Sequence, residues 1–144
     1  MVRETGVHRR FAFRDWVLLG AVAALQLAIA AALRFGSLSL ARRLSAPSGR
    51  AIGAGVCRDE RRVVWAIEAT GRRLAPLSTC LVRALAAEAI LRSASRALRF
   101  AIGVRHCADG SLQAHAWVAE GSRVLIGGSR EPYERLVEWN TRDQ

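Results

Sequence analysis

Two residues in this sequence have the types and placement for nucleophilic chemistry, Cys80 and His115. Cys80 directly follows Ser78 and Thr79, either of which is a natural helix N-cap, so the thiol falls in the first turn of a helix. Unpaired backbone N–H groups and the positive end of the helix dipole favour a thiolate at that position. His115 lies 35 residues further on, early in a stretch with the two-residue alternation of a strand. A thiolate at a helix start and an imidazole on an adjacent strand make a nucleophile–base pair if the fold brings them together. Taken singly, each has a plainer reading: an inert buried thiol, and a histidine satisfied within a sheet.

The other reactive side chains carry less. Cys57 and Cys107 read as structural thiols, His8 as part of a basic tail, and His106 as a loop residue beside Cys107. Three cysteines without a Cys-x-x-Cys pair leave at least one thiol free, which fits a reducing, cytoplasmic compartment better than a secreted disulfide scaffold. No pair sits at zinc-finger spacing, so no metal is expected. Gly53-Ala54-Gly55 lacks the remainder of a phosphate-loop pattern, and no cofactor is expected either.

Several elements must position the two residues. Residues 16–33 form an apolar helical stretch broken only by Gln26 and bounded by arginines. Eighteen helical residues reach roughly 27 Å, short of a comfortable bilayer crossing. The stretch therefore reads first as a helix buried on its own domain or a partner, next as a membrane-surface element and last as a span. Residues 35–44 suggest a second short helix. Ser45-Ala-Pro-Ser-Gly49 then reads as a linker, dividing a tail and helical arm (1–45) from a core (46–144). Asp59 can cap a helix running to about Arg73, with Val63, Val64, Ile67 and Leu74 on its apolar face, and Pro76 stops it. The helix that starts at Cys80 extends to about Ser95. Strands are expected at 98–104, 113–119 and 123–126, with turns at Ala108-Asp109-Gly110 and Glu120-Gly121-Ser122. Helices first and an antiparallel meander after them make the class α+β.

Composition narrows the functional classes. The 144 residues fit one domain with an appendage, large enough to bury a core without disulfides or metal. The net charge of +10 would ordinarily suggest nucleic acid. Here all 22 basic residues are arginines, dispersed singly or in pairs, with no long basic block and few interleaved aromatics. Such a pattern is a solvated surface rather than a nucleic-acid site.

The segments Pro76-Leu-Ser-Thr-Cys-Leu81, Phe100-Ala-Ile-Gly-Val104 and Ala114-His-Ala-Trp-Val118, with the apolar arm and the Gly127-Gly128 close, resemble a known family. They are similar to the transglutaminase-like cysteine peptidases that remove leader peptides in lasso-peptide biosynthesis, over roughly residues 11–139. The resemblance implies a transglutaminase-like, papain-like core: a nucleophile helix packed on a small antiparallel sheet, preceded by the helical arm. It implies Cys80 as nucleophile, His115 as general base and acid, and Trp117 as a wall of the substrate cleft (a core aromatic being the plainer reading). It also implies partners: the precursor peptide, a small leader-binding protein that delivers it, and an ATP-dependent cyclase that closes the freed core peptide.

The sequence departs from that family's pattern at one point. The family's third catalytic residue is an acid on the strand after the histidine. In a hairpin turning near Gly121, the residue facing His115 is 127, and Gly127 and Gly128 carry no carboxylate. Glu131, just past the expected site, is the leading substitute, with Asp109 and Glu120 as alternatives; each also has a plain reading as a surface charge. Two rival functions follow: a catalytically silent scaffold of the same fold, and a basic protein of a membrane surface or nucleic acid without peptidase activity.

Overall fold

The computed structural model describes residues 12–56, 59–92, 97–129 and 131–140. Four helices come first: α1 (Phe13–Phe35), α2 (Leu38–Ala51), α3 (Glu60–Arg73) and α4 (Cys80–Leu91), with a π-helical turn at Ile52–Val56 between α2 and α3. Four strands follow, β1 (Leu98–His106), β2 (Leu112–Glu120), β3 (Arg123–Ile126) and β4 (Glu134–Asn140). They form one antiparallel sheet in the order β3-β2-β1-β4. The α+β class is as expected.

Helix boundaries follow local chemistry. The Asp59 side chain accepts from the Arg61 N–H at 3.0 Å, and that of Thr79 accepts from the Val82 N–H at 3.4 Å. Of the two candidate caps before Cys80, Thr79 takes the role. Ser78 is buried and bonds elsewhere. Pro76, joined to Ala75 by a cis peptide bond, lies in the turn between α3 and α4.

The core lies where the helices meet the sheet. Leu18, Val22, Leu25 and Ile29 recur on one face of α1 at helical spacing and pack with Val63 and Ile67 of α3 and Leu85 and Ile90 of α4. Leu98 and Phe100 of β1, Val118 of β2 and Ile126 of β3 close the same cluster from the sheet side. Trp139 of β4 stacks on Phe100 with ring centroids 4.4 Å apart. Its indole N–H donates to the buried Glu88 of α4 at 3.0 Å, and Arg42 of α2 donates to the same carboxylate oxygen at 2.7 Å. One buried carboxylate thus ties the arm, α4 and the last strand together.

Two expectations are corrected. Ser45–Gly49 is no linker: it lies inside α2, with Pro47 in the helix and Ser45 and Gly49 buried. Gly49 faces α4 so closely that a Cβ there would lie 2.5 Å from the backbone of Ala89. The small residues that read as a flexible joint are a close helix crossing, and packing overrides their turn preference. The second correction is β4, a strand beyond the three expected. It pairs with β1, giving four strands rather than three. Asp59 and Pro76 bound α3 as expected, and the three earlier strands fall where the alternation placed them. The C-terminal end of the helix expected to run to Ser95, Cys57 and His8 lie outside the described residues.

Candidate active site

Cys80 is the first residue of α4 and is partly buried. The first backbone hydrogen bond across the cap is Arg83 N–H to the Thr79 carbonyl at 3.1 Å, so the N–H groups of Cys80 and Leu81 remain open at the helix start. The loop that delivers the thiol is held from the arm. Ser78 donates to the Gln26 side-chain oxygen at 2.5 Å, while the Gln26 amide donates to Thr70 Oγ1 at 2.7 Å and to the Ile67 carbonyl at 3.1 Å. The one polar residue of the apolar stretch is therefore buried, with both ends of its amide engaged, and it holds Ser78, two residues before Cys80.

His115 occupies the middle of β2, paired with Gly103 of β1. Its Nε2 lies 2.7 Å from the Gly127 carbonyl oxygen. A carbonyl oxygen only accepts, so Nε2 carries the proton, and in the neutral ring Nδ1 is left as the proton acceptor. Gly127 is at φ +77°, in the left-handed region, and a Cβ there would meet the Ala116 carbonyl and lie 3.0 Å from Trp117 Cα. Only glycine turns the chain there and sets its carbonyl against the imidazole. The register expectation thus put the right residue near His115, through its backbone. A bulge between Val118 and Ala119 shifts the β2–β3 pairing, and β3 ends at Ile126.

Cys80 and His115 line one cavity of about 210 Å³, with Glu68, Arg83, Ile126, Gly127 and Gly128. No hydrogen bond joins the two. Glu68 of α3 and Arg83 of α4 form an ion pair at 3.0 Å on the wall of this cavity. An adjoining cleft of about 170 Å³ shares His115 and Gly127 and adds Trp117, Val124, Ser129, Glu131 and Tyr133. Trp117 and Tyr133 both line the cleft, with ring centroids 6.3 Å and 5.1 Å from that of His115.

None of the three acids considered as orienter bonds to the imidazole. Glu131 reaches the cleft, but its exposed carboxylate accepts from Arg105 at 2.8 Å, and Arg105 also lies over the Tyr133 ring. Asp109 accepts from the hydroxyl of Ser111 at 2.6 Å and from its N–H at 2.9 Å; these bonds hold its carboxyl below the usual carboxylate range. Glu120 accepts from Arg123 across the hairpin turn. Among the described residues, the hydrogen-bond partner of the His115 ring is the Gly127 carbonyl.

Sequence reasoning missed Tyr133, the Glu68–Arg83 pair and the carbonyl orienter. Tyr133 sits in an irregular loop with no periodicity to flag it. The ion pair joins different helices, and a backbone carbonyl has no side-chain signature at all. The sequence model of the transglutaminase-like superfamily matches residues 21–139, spanning α1 through β4 and including Cys80 and His115. No curated protein and no solved structure matches the chain. The match covers most of the chain and the fold agrees with it: the chain belongs to the transglutaminase-like superfamily.

Proposed function

We propose that the protein is a cysteine peptidase that cleaves the leader from a lasso-peptide precursor, with Cys80 as nucleophile and His115 as base and acid. One observation carries this reading above the others: Cys80 at the open start of α4 and a tautomerically fixed His115 line a single cavity. Superfamily membership, in a group that includes cysteine peptidases and transglutaminases, supports the chemistry.

In this mechanism His115 Nδ1 takes the Cys80 proton as the sulfur attacks the scissile carbonyl. The open N–H groups of Cys80 and Leu81 receive the developing oxyanion. His115 then returns the proton to the leaving amine, leaving the leader as a thioester on Cys80. Water, deprotonated by His115, hydrolyses that thioester and restores the thiol. Throughout, the Gly127 carbonyl holds Nε2–H, a weaker stabiliser of the imidazolium than a carboxylate but one that fixes the same ring orientation.

The cleft beside His115, walled by Trp117 and Tyr133, is a shallow groove suited to an extended peptide. A small leader-binding protein delivers the precursor and an ATP-dependent cyclase consumes the freed core peptide; both are carried from the resemblance. The test is mass spectrometry of the precursor mixed with this protein and the leader-binding partner. Leader release is expected with the wild-type chain and none with Cys80→Ala; release that persists in Cys80→Ala overturns the reading.

The carbonyl in place of an acid at His115 favours one second reading, a catalytically silent scaffold of the same fold. Wild-type protein that binds the precursor and partner but never cleaves would select it.

A further inference from the structure

Helix α1 is apolar on both sides, and the described residues cover only one. The inward face carries the core residues together with Asp15 and Gln26. On the outward face every exposed side chain between Arg14 and Arg34 is apolar: Trp16, Val17, Gly20, Ala24, Leu27 and Ala31 among them. Phe13 and Phe35 extend this face at the two ends, each more than four-fifths exposed. A helix that is hydrophobic all round is buried all round, so this face has a partner.

We infer that the outward face of α1 lies in the surface of an anionic membrane, parallel to it. The charge pattern selects this occupant. Exposed Arg14 and Arg34 bracket the apolar stripe, and Arg3, Arg9 and Arg10 precede it against a single acid, Glu4. The helix's own acid, Asp15, is turned inward onto Arg62. An aliphatic stripe with aromatic residues and cations together at its two ends matches acyl chains beneath a layer of phosphate headgroups. By length and composition the helix could cross a bilayer. Its inward bonds argue for the surface instead. Crossing would strip Gln26 from Thr70, Ile67 and Ser78, and Asp15 from Arg62, leaving buried polar groups unpaired in hydrocarbon. Nothing in this surface depends on the chemistry at Cys80.

The test is cosedimentation of the full chain with vesicles of phosphatidylcholine, alone or mixed with phosphatidylglycerol. Binding is expected to the mixed vesicles and to weaken with salt. Brominated lipid is expected to quench tryptophan fluorescence, and Trp16→Phe to remove most of that quenching. Val17→Glu with Leu27→Glu changes two residues that are only partly covered, so the melting temperature should hold while vesicle binding falls by more than about tenfold. Arg14→Gln with Arg34→Gln should lower binding to the mixed vesicles without altering the fold. Wild-type protein that stays in the supernatant overturns the inference, as does binding unchanged in the glutamate variant. It is equally overturned by a dimer that those glutamates dissolve in the absence of lipid, which would assign the face to a second copy.

Discussion

At the scale of single residues, the unusual feature is that a backbone carbonyl stands at His115 where the resemblance implies a side-chain acid. Gly127 achieves this by two properties no other residue combines: a φ of +77° and the absence of a Cβ against Ala116 and Trp117. Gly127→Ala should displace the carbonyl and free the imidazole, lowering kcat by about a hundredfold, the usual penalty of a misplacement near 1 Å. KM should stay nearly unchanged, because the residue positions His115 rather than gripping substrate; a loss confined to KM would remove Gly127 from that role. Glu131→Gln is the complementary test. Its carboxylate serves an exposed ion pair with Arg105, so kcat/KM for precursor cleavage should change by less than about threefold, in line with surface pairs generally. A fall as large as that of Gly127→Ala would return Glu131 to the catalytic set.

At the scale of elements, Gln26 joins the arm to the loop that leads into Cys80. Gln26→Ala opens a cavity and leaves the buried Ser78 hydroxyl without its acceptor. It should destabilise the fold by about 2–4 kcal/mol, read from denaturant unfolding. A change under about 0.5 kcal/mol, the scale of an ordinary surface substitution, would show the bonds to be incidental. Elements also decide what could be read in advance. Asp59, Thr79 and Pro76 act through local hydrogen bonding and backbone sterics, so α3 and the start of α4 were legible, and with them the place of Cys80. Alternation gave β1 to β3, and with β2 the place of His115. What failed depended on distant contacts. Ser45–Gly49 has turn composition, and only the crossing over Ala89 makes it helix. In β4, Glu134-Arg-Leu-Val-Glu-Trp-Asn140 has no clean alternation, because most of an edge strand faces solvent on both sides.

At the scale of the whole molecule, helices and sheet enclose one continuous core, to which α1 and α2 contribute Leu18, Val22, Leu25, Ile29 and Ala41. The arm is therefore structural as well as a candidate docking surface. Removing residues 1–51 would expose Val63, Ile67, Leu85 and Ile90 to water. The truncated chain should show no cooperative thermal transition by circular dichroism; a sharp transition would mean that the remaining residues fold alone.

The proposed peptidase activity requires a covalent thioester at Cys80, and acid quenching of a single turnover followed by intact-protein mass spectrometry detects it directly. With precursor and leader-binding partner present, the wild-type chain should gain the mass of the leader less one water. Proteolytic mapping should place the adduct on the peptide that contains Cys80, and His115→Ala should abolish it. Leader release that proceeds with no adduct, and equally well in Cys80→Ala, would contradict the account.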